Sequence, residues 1–245
     1  MSQSPMALEV RDLRKRYGHQ LALRGLNLTV QQGEFIALFG PNGAGKTTFI
    51  RILAQLLRPT SGEVRLMGVP LAELGPETRR QLGVISHQTF LYPNLTGREN
   101  LFFYGQLFDV PQLEARVEEV LAAVELSSRA DGLVATFSKG MAQRLAIARA
   151  ILHRPRLILL DEPYTGLDQH ASALLTSLLR GLKDGERTFL MTTHHLEQGL
   201  ELASRVCIQA GGQLVFDAPA AELTPSSLRD IYMERLDAAQ RRGTR

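Results

Sequence analysis

Gly40-Pro41-Asn42-Gly43-Ala44-Gly45-Lys46-Thr47 decides how the rest of this sequence is read. The stretch fits the pattern GxxxxGK[ST], the signature of a phosphate-binding loop. Each part has a physical task. Glycines let the backbone bend tightly and aim successive N–H groups at phosphate oxygens. The helix N-terminus that follows adds a partial positive charge. Lys46 is placed to reach the β- and γ-phosphates of ATP, and the Thr47 hydroxyl to ligate Mg²⁺. By composition, a chance match in a chain this long is on the order of one in a hundred. The flanks agree: Phe35–Phe39 is a continuous apolar run, as in a buried strand, and Lys46–Leu57 reads as a helix closed by Pro59. Gly40–Thr48, Thr48 included, is therefore expected to bind Mg-ATP, with hydrolysis to follow.

Hydrolysis needs a metal holder and a base. Leu157–Leu160 leads into Asp161-Glu162-Pro163, four apolar residues and then two carboxylates. Asp161 stands where a phosphate-loop enzyme holds its metal through water. Glu162 is the candidate general base that polarises the attacking water.

Short strand-like runs alternate with helices elsewhere. Leu8–Val10, Leu26–Val30, Glu63–Met67, Gly83–Ser86 and Thr188–Met191 read as strands, and Arg205–Gln209 with Gln213–Phe216 as a hairpin around Gly211-Gly212. Between them, residues 89–154 read as helical. Thr96-Gly97-Arg98-Glu99 is a capping-box pattern opening a helix to about Phe108. A second helix starts at Pro111, with Leu113, Val117, Val120, Leu121 and Val124 on one face. A third, alanine-rich helix runs from about Gly140 to His153. The last 25 or so residues read as a helical or loose tail.

Composition narrows the function classes. Net charge is +3, from 28 basic and 25 acidic residues, which gives no nucleic-acid footprint. The basic end Arg241–Arg245 reads as a solvated terminus. The single cysteine, Cys207, lies in an apolar run and reads as a core residue, so no disulfide within the chain is possible. No apolar stretch approaches the roughly 20 residues needed to span a bilayer, and the N-terminus lacks a signal-peptide pattern. The expectation is a soluble, cytosolic chain whose membrane role comes through a partner.

A phosphate loop alone allows kinases, GTPases, helicases and transport ATPases. Phe137-Ser138-Lys139-Gly140-Met141-Ala142-Gln143-Arg144, ahead of the alanine-rich helix, resembles the signature loop of ATP-binding-cassette (ABC) ATPases. It departs from the commonest form, LSGGQ: Lys139 replaces a glycine and Met141 the glutamine. The resemblance covers about residues 6–217. It implies an α/β fold, a RecA-like phosphate-loop core with an N-terminal antiparallel β-subdomain and an inserted helical subdomain. The implied division is a core of residues 1–88 and 155–217, a signature subdomain of 89–154 and a C-terminal tail of 218–245. It also implies that Ser138, Lys139, Gly140 and Met141 act in trans, on ATP held by the second cassette of a homodimer. Tyr17 matches the aromatic that stacks on adenine, and Gln88 the glutamine that contacts Mg²⁺ and the attacking water. Asp168, in Gly166-Leu167-Asp168, matches the loop that crosses the dimer interface. His194 matches the switch histidine that orients the glutamate. His195 has no role in the family and reads as a surface residue.

Six of the 15 Phe and Tyr residues lie in 90–108: Phe90, Tyr92, Phe102, Phe103, Tyr104 and Phe108. In this family that region receives a short helix of a membrane-spanning subunit, so half of these aromatics are expected in a docking groove and half in the core. The segments Gly83–Thr89, Leu91-Tyr92, Asp161–Asp168 and His194–Leu200 look most like the haem-exporter ATPases of bacterial cytochrome c maturation, with other single-cassette exporters of drugs, lipids or polysaccharides as the alternative. The implied location is the cytoplasmic face of the bacterial inner membrane. Direct haem binding is not expected: His87 adjoins the ATP-site glutamine rather than forming a haem ligand. A soluble cassette acting on DNA or ribosomes would call for tandem cassettes, coiled coils or basic linkers, which are not read here. A small-molecule kinase would leave Ser138–Arg144 without a purpose.

Overall fold

The computed structural model describes residues 5–86 and 88–243. The chain runs β1 (Met6–Tyr17), β2 (Gln20–Gln31), β3 (Phe35–Phe39), α1 (Lys46–Leu53), β4 (Ser61–Leu66), β5 (Val69–Pro70), α2 (Pro76–Arg79), β6 (Leu82–Ile85), α3 (Gly97–Leu107), α4 (Leu113–Ala123), α5 (Lys139–Ile151), β7 (Leu157–Asp161), α6 (Gln169–Gly181), β8 (Thr188–Thr193), α7 (Leu196–Leu202), β9 (Arg205–Ala210), β10 (Gln213–Pro219) and α8 (Pro225–Gly243).

Two sheets form. One is antiparallel, in the order β2-β1-β4-β5; the other has the order β10-β9-β3-β8-β7-β6. In the second sheet β9, β3, β8, β7 and β6 are parallel and β10 closes the edge antiparallel to β9. Every residue of β3, β7 and β8 is buried, because a parallel sheet is covered on both faces. Alternate side chains feed two cores. Phe35 and Phe189 stack with ring centroids 4.8 Å apart on the face shared with Leu145, Ile151 and Leu175. Ile36, Leu38, Leu159 and Leu190 fill the other face with Phe49 and Ile52 of α1 and with Leu8, Leu23 and Val30 of the antiparallel sheet.

Helices α3, α4 and α5 pack on one another. The capping box is present: Glu99 N–H donates to Thr96 Oγ1 at 3.1 Å, and Thr96 N–H donates to Glu99 Oε2 at 2.8 Å. Val117, Val120 and Leu121 are buried on α4 as expected, with Leu113 only partly so. The same helix carries a charge in its buried face. Arg116 donates to the Leu152 and Ile151 carbonyls at 2.9 and 2.6 Å, so it satisfies carbonyls that the end of α5 leaves free.

Several boundaries differ from expectation. α1 ends at Leu53 rather than Leu57, because Gln55 turns left-handed (φ 58°) and its side-chain amide bonds the Leu71 carbonyl at 2.8 Å. α4 begins at Leu113, after Gln112 in a left-handed conformation (φ 50°), not at Pro111. β1 and β2 are each 12 residues long, since the hairpin pairs from Tyr17–Gln20 back to Met6–Gln31 through several register shifts that hide the alternation in the sequence. The tail is not loose. α8 places Leu228, fully buried, with Ile231 and Tyr232 against Leu196, Leu200 and Val206. Of the basic end, Arg241 is exposed and residues 244–245 lie outside the described residues. Cys207 is buried in β9, and burial pushes its thiol pKa far up. None of the described helices is long and apolar enough to cross a membrane.

Candidate functional site

Strand β3 delivers the chain to Gly40, and the loop to Gly45 rests on backbone from two other elements. A Cβ on Gly40 would lie 2.3 Å from the Gln209 carbonyl oxygen, and one on Gly45 (φ 101°) 2.5 Å from that of Ala22. These two positions must be glycine for the loop to seat. The Ala44 carbonyl accepts from Gln209 Nε2 at 2.9 Å and from Gly212 N at 3.2 Å, so the β9–β10 hairpin clamps the loop from below. Gln209 was not singled out from the sequence; an amide inside the apolar run Val206–Ala210 was its only signal.

The loop's own lysine is almost wholly buried, at 6% exposure. Lys46 Nζ donates to the Gly40 carbonyl at 2.6 Å and the Pro41 carbonyl at 3.3 Å, and lies 3.2 Å from Glu162 Oε1. Parallel pairing of β7 with β8 and of β8 with β3 puts Asp161 and Glu162 at the same sheet edge as the loop. Thr47 Oγ1 donates to Asp161 Oδ1 at 3.1 Å and Thr192 Oγ1 donates to the same oxygen at 2.8 Å. Asp161 is thus a buried carboxylate held by two hydroxyls. Thr192 is a site residue that sequence reading missed, although Met191-Thr192-Thr193 at the end of an apolar strand signals it.

Glu162 leaves the strand in a left-handed conformation (φ 51°), uncommon for a residue with a side chain. Its N–H is shared between the Thr192 carbonyl and hydroxyl oxygens at 3.0 and 3.1 Å. The turn aims its carboxylate between two cationic or protic groups, Lys46 on Oε1 and His194 Nδ1, 2.8 Å from Oε2. His195 is half-buried rather than a surface residue. Its ring lies 4.2 Å from that of His194 and edge-on to Tyr164 at 6.0 Å, and burial followed by the neighbouring His194 pushes its pKa down.

Other residues named from the sequence lie further out. Tyr17 is exposed at the tip of the β1–β2 hairpin, with Lys15 Nζ 5.2 Å from its ring centre. The β2 strand of that hairpin supplies Ala22 beneath Gly45. Gln88 is exposed after β6; its backbone carbonyl and N–H both bond Ser86 Oγ, and among the described residues its side chain has no bond to Thr47 or Asp161. His87 lies outside the described residues.

Ser138 caps α5, its Oγ accepting from Met141 N–H at 3.2 Å. Lys139 extends across Gly166, where an added Cβ would meet its Nζ at 1.9 Å, and Gly140 faces Ala171. Asp168 caps α6 by accepting from Ala171 N–H at 2.8 Å. Residues 138–141, 166–168 and 170–171 together line one cavity of about 230 Å³. Among the described residues no hydrogen bond or ion pair joins Ser138–Met141 to Gly40–Thr48 of the same chain.

The six aromatics divide evenly. Phe102, Tyr104 and Phe108 are half-buried, with Phe108 stacked on His153 at 4.2 Å, while Phe90, Tyr92 and Phe103 are exposed. Tyr92 and Phe103 meet edge-to-face at 5.0 Å, and Arg149 lies over Phe90 and Tyr104.

Known proteins are similar to this chain in sequence and in fold. The sequence model of a family described as ABC transporter matches residues 23–165. A Nod factor export ATP-binding protein I of Cupriavidus metallidurans is 38% identical over 236 residues, covering 94% of this chain and 78% of that protein. A solved ATP-binding subunit of an ABC transporter superposes with a TM-score of 0.83 at 31% identity, over 94% of this chain and 99% of the other. A dimeric ATP-binding cassette in a post-hydrolysis state, bound to ADP and Pi, superposes with a TM-score of 0.78 at 28% identity, over 87% and 98%. The fold is that expected from the sequence, and the chain belongs to the ABC transporter family as an ATP-binding, ATP-hydrolysing subunit.

Proposed function

We propose that two copies of this chain close over ATP and thereby drive a membrane-spanning export partner. One observation carries the reading. Thr47, Asp161, Glu162, Lys46 and His194 converge on one loop, while Ser138–Met141 join the Gly166–Asp168 turn instead. The site therefore has half of its parts on a surface that serves a neighbour. In that arrangement Ser138 Oγ and the Gly140 N–H meet the partner's γ-phosphate, with Lys139 and Met141 beside them, and Asp168 sits at the interface.

Within one chain, successive N–H groups of Gly40–Thr48 and the ammonium of Lys46 hold the phosphates, and Tyr17 stacks on adenine. Glu162 takes a proton from the attacking water while His194 holds its carboxylate in line. Thr47 Oγ1 and Asp161 Oδ1 are adjacent oxygen donors of the kind Mg²⁺ prefers and would hold it, with Gln88, which follows β6, as the further donor. When bound, Mg²⁺ neutralises phosphate charge. Closure is the working stroke and hydrolysis the reset. The mechanical division is that expected from the sequence, with residues 89–154 moving against 1–88 and 155–217, and 218–245 appended.

The exposed Phe90, Tyr92 and Phe103 suit a short amphipathic helix of the membrane subunit. On this reading the chain works peripherally at the cytoplasmic face of the membrane, without a nucleic-acid partner and without binding haem directly. Export is supported by relatives named for Nod factor export. They give no support to haem as the cargo. The motifs at Gly83–Thr89, Leu91-Tyr92, Asp161–Asp168 and His194–Leu200 favour the second reading, a role in cytochrome c maturation, and cargo is assigned to the membrane subunit.

The test is a pair of variants. Glu162→Gln is expected to keep ATP binding, lose turnover and accumulate an ATP-bound dimer on a sizing column, whereas Lys46→Ala weakens nucleotide binding. Turnover by Glu162→Gln at the wild-type rate sinks the base assignment. Identifying the co-purified membrane subunit decides between the cargo readings.

A further inference from the structure

His195 reads from the sequence as a surface residue without a task, yet its ring is the middle member of a stack that ends on the glutamate. His194 is half-exposed, and among the described residues its one side-chain hydrogen bond is Nδ1 to Glu162 Oε2 at 2.8 Å. A single hydrogen bond leaves an imidazole free to pivot about it. What limits the pivot is the ring of His195, 4.2 Å away and tilted by 34°. His195 is itself fixed on three sides. Its N–H donates to Thr193 Oγ1 at 3.0 Å, its carbonyl accepts from Gly199 N–H in the first turn of α7, and its ring meets the face of Tyr164 at 69°. Tyr164 in turn is buried, with its hydroxyl 3.0 Å from Thr176 Oγ1 on α6. The stack Tyr164–His195–His194 thus runs from a rigid helix to the carboxylate.

We propose that His195 is a positioning residue for ATP hydrolysis: its ring, wedged against Tyr164, holds the His194 imidazole in the plane from which Nδ1 reaches Glu162. The inference rests on the reading of Glu162 and His194 as base and orienting histidine. What His195 supplies is a flat ring at a set distance, since an uncharged side chain there does not compete with Lys46 and His194 for the carboxylate. Misplacing a catalytic group by about 1 Å costs up to a hundredfold in rate, and a loosened orienting residue costs less.

The experiment measures steady-state ATPase and nucleotide binding on the full chain carrying His195→Ala, His195→Phe, His194→Ala or the double substitution to alanine. His195→Ala is expected to lower kcat about tenfold, by the positioning argument above, with KM and ATP affinity unchanged. His195→Phe, which keeps a flat ring, is expected to recover most of that loss. The double variant is expected to be no slower than His194→Ala alone, because both act through one contact. Wild-type kcat in His195→Ala, beside an impaired His194→Ala, overturns the proposal. So does a double variant slower than His194→Ala by the full factor, or a His195→Phe as slow as His195→Ala at an unchanged melting temperature. Wild-type kcat in His194→Ala instead removes the underlying reading of that residue, and the positioning role with it.

Discussion

Replacing Thr192 by valine removes one hydroxyl from the middle of the site and little else. The side chains are nearly isosteric, so no cavity opens in a position that is fully buried. The lost group donates to Asp161 Oδ1 at 2.8 Å and accepts one share of the Glu162 N–H at 3.1 Å. The second loss is small, because Glu162 N–H keeps the Thr192 carbonyl at 3.0 Å. The first is a hydrogen bond to a carboxylate that is 3% exposed, and water does not readily replace it there. Bonds to charged groups contribute about 1.5–3 kcal/mol, so a destabilisation of about 2 kcal/mol is expected. In a chain of this size each kcal/mol moves the melting temperature by roughly 2–4 °C, giving a fall of about 4–8 °C. Calorimetry without nucleotide measures it. Among the described residues Asp161 then keeps the Thr47 hydroxyl as its side-chain partner, so Mg-ATP binding weakens while binding of ATP in excess EDTA changes less. A melting temperature within about 1 °C of wild type, on the same scale, would refute the view that Thr192 holds the buried carboxylate.

Gly40→Ala is expected to lower stability by about 1–3 kcal/mol and to weaken ATP binding, because its Cβ meets backbone, the Gln209 carbonyl at 2.3 Å, which has no side-chain freedom to yield; unfolding in urea and nucleotide titration check it. Burial against Phe108 pushes the His153 pKa below its ordinary value of 6.5. The folded state therefore favours neutral His153, and its contribution is fully present above pH 6.5 and is lost as pH falls from there towards the depressed folded value. Melting curves from pH 7.5 to 5 should accordingly fall less steeply in His153→Gln, which keeps an N–H donor for the Leu82 carbonyl; equal slopes would exclude the effect. Tyr92→Ser with Phe103→Ser is expected to leave the melting temperature and the isolated chain's ATPase near wild type, since both rings are exposed, while abolishing recovery of the membrane partner; retained recovery would move the docking surface elsewhere.

Local grammar made much of this molecule readable. The phosphate loop, the all-apolar β3, β7 and β8, and the capping box at Thr96 are each specified by neighbours in sequence, and the structure forms them at or within a few residues of the expected places. α6 and α7 are not legible in the sequence. Their apolar positions interleave with polar ones, and α6 is capped by Asp168, which had been assigned only to an interface loop. β1 and β2 were read as short pieces because register shifts break the period of two.

Sequence by itself determined the chemistry: a glycine loop that cradles phosphate, a lysine and a threonine beside it, two acids at a strand end and a signature turn. Tertiary structure alone decided the company those groups keep. Parallel pairing of β3, β8 and β7 sets Thr192 on Asp161 and His194 on Glu162, across 31 and 32 residues of chain. The β9–β10 hairpin places Gln209 and Gly212 under Ala44 across more than 160 residues. α6 seats Tyr164 behind His195. Such contacts depend on which strands are neighbours in the sheet, and no local pattern of residues encodes that order.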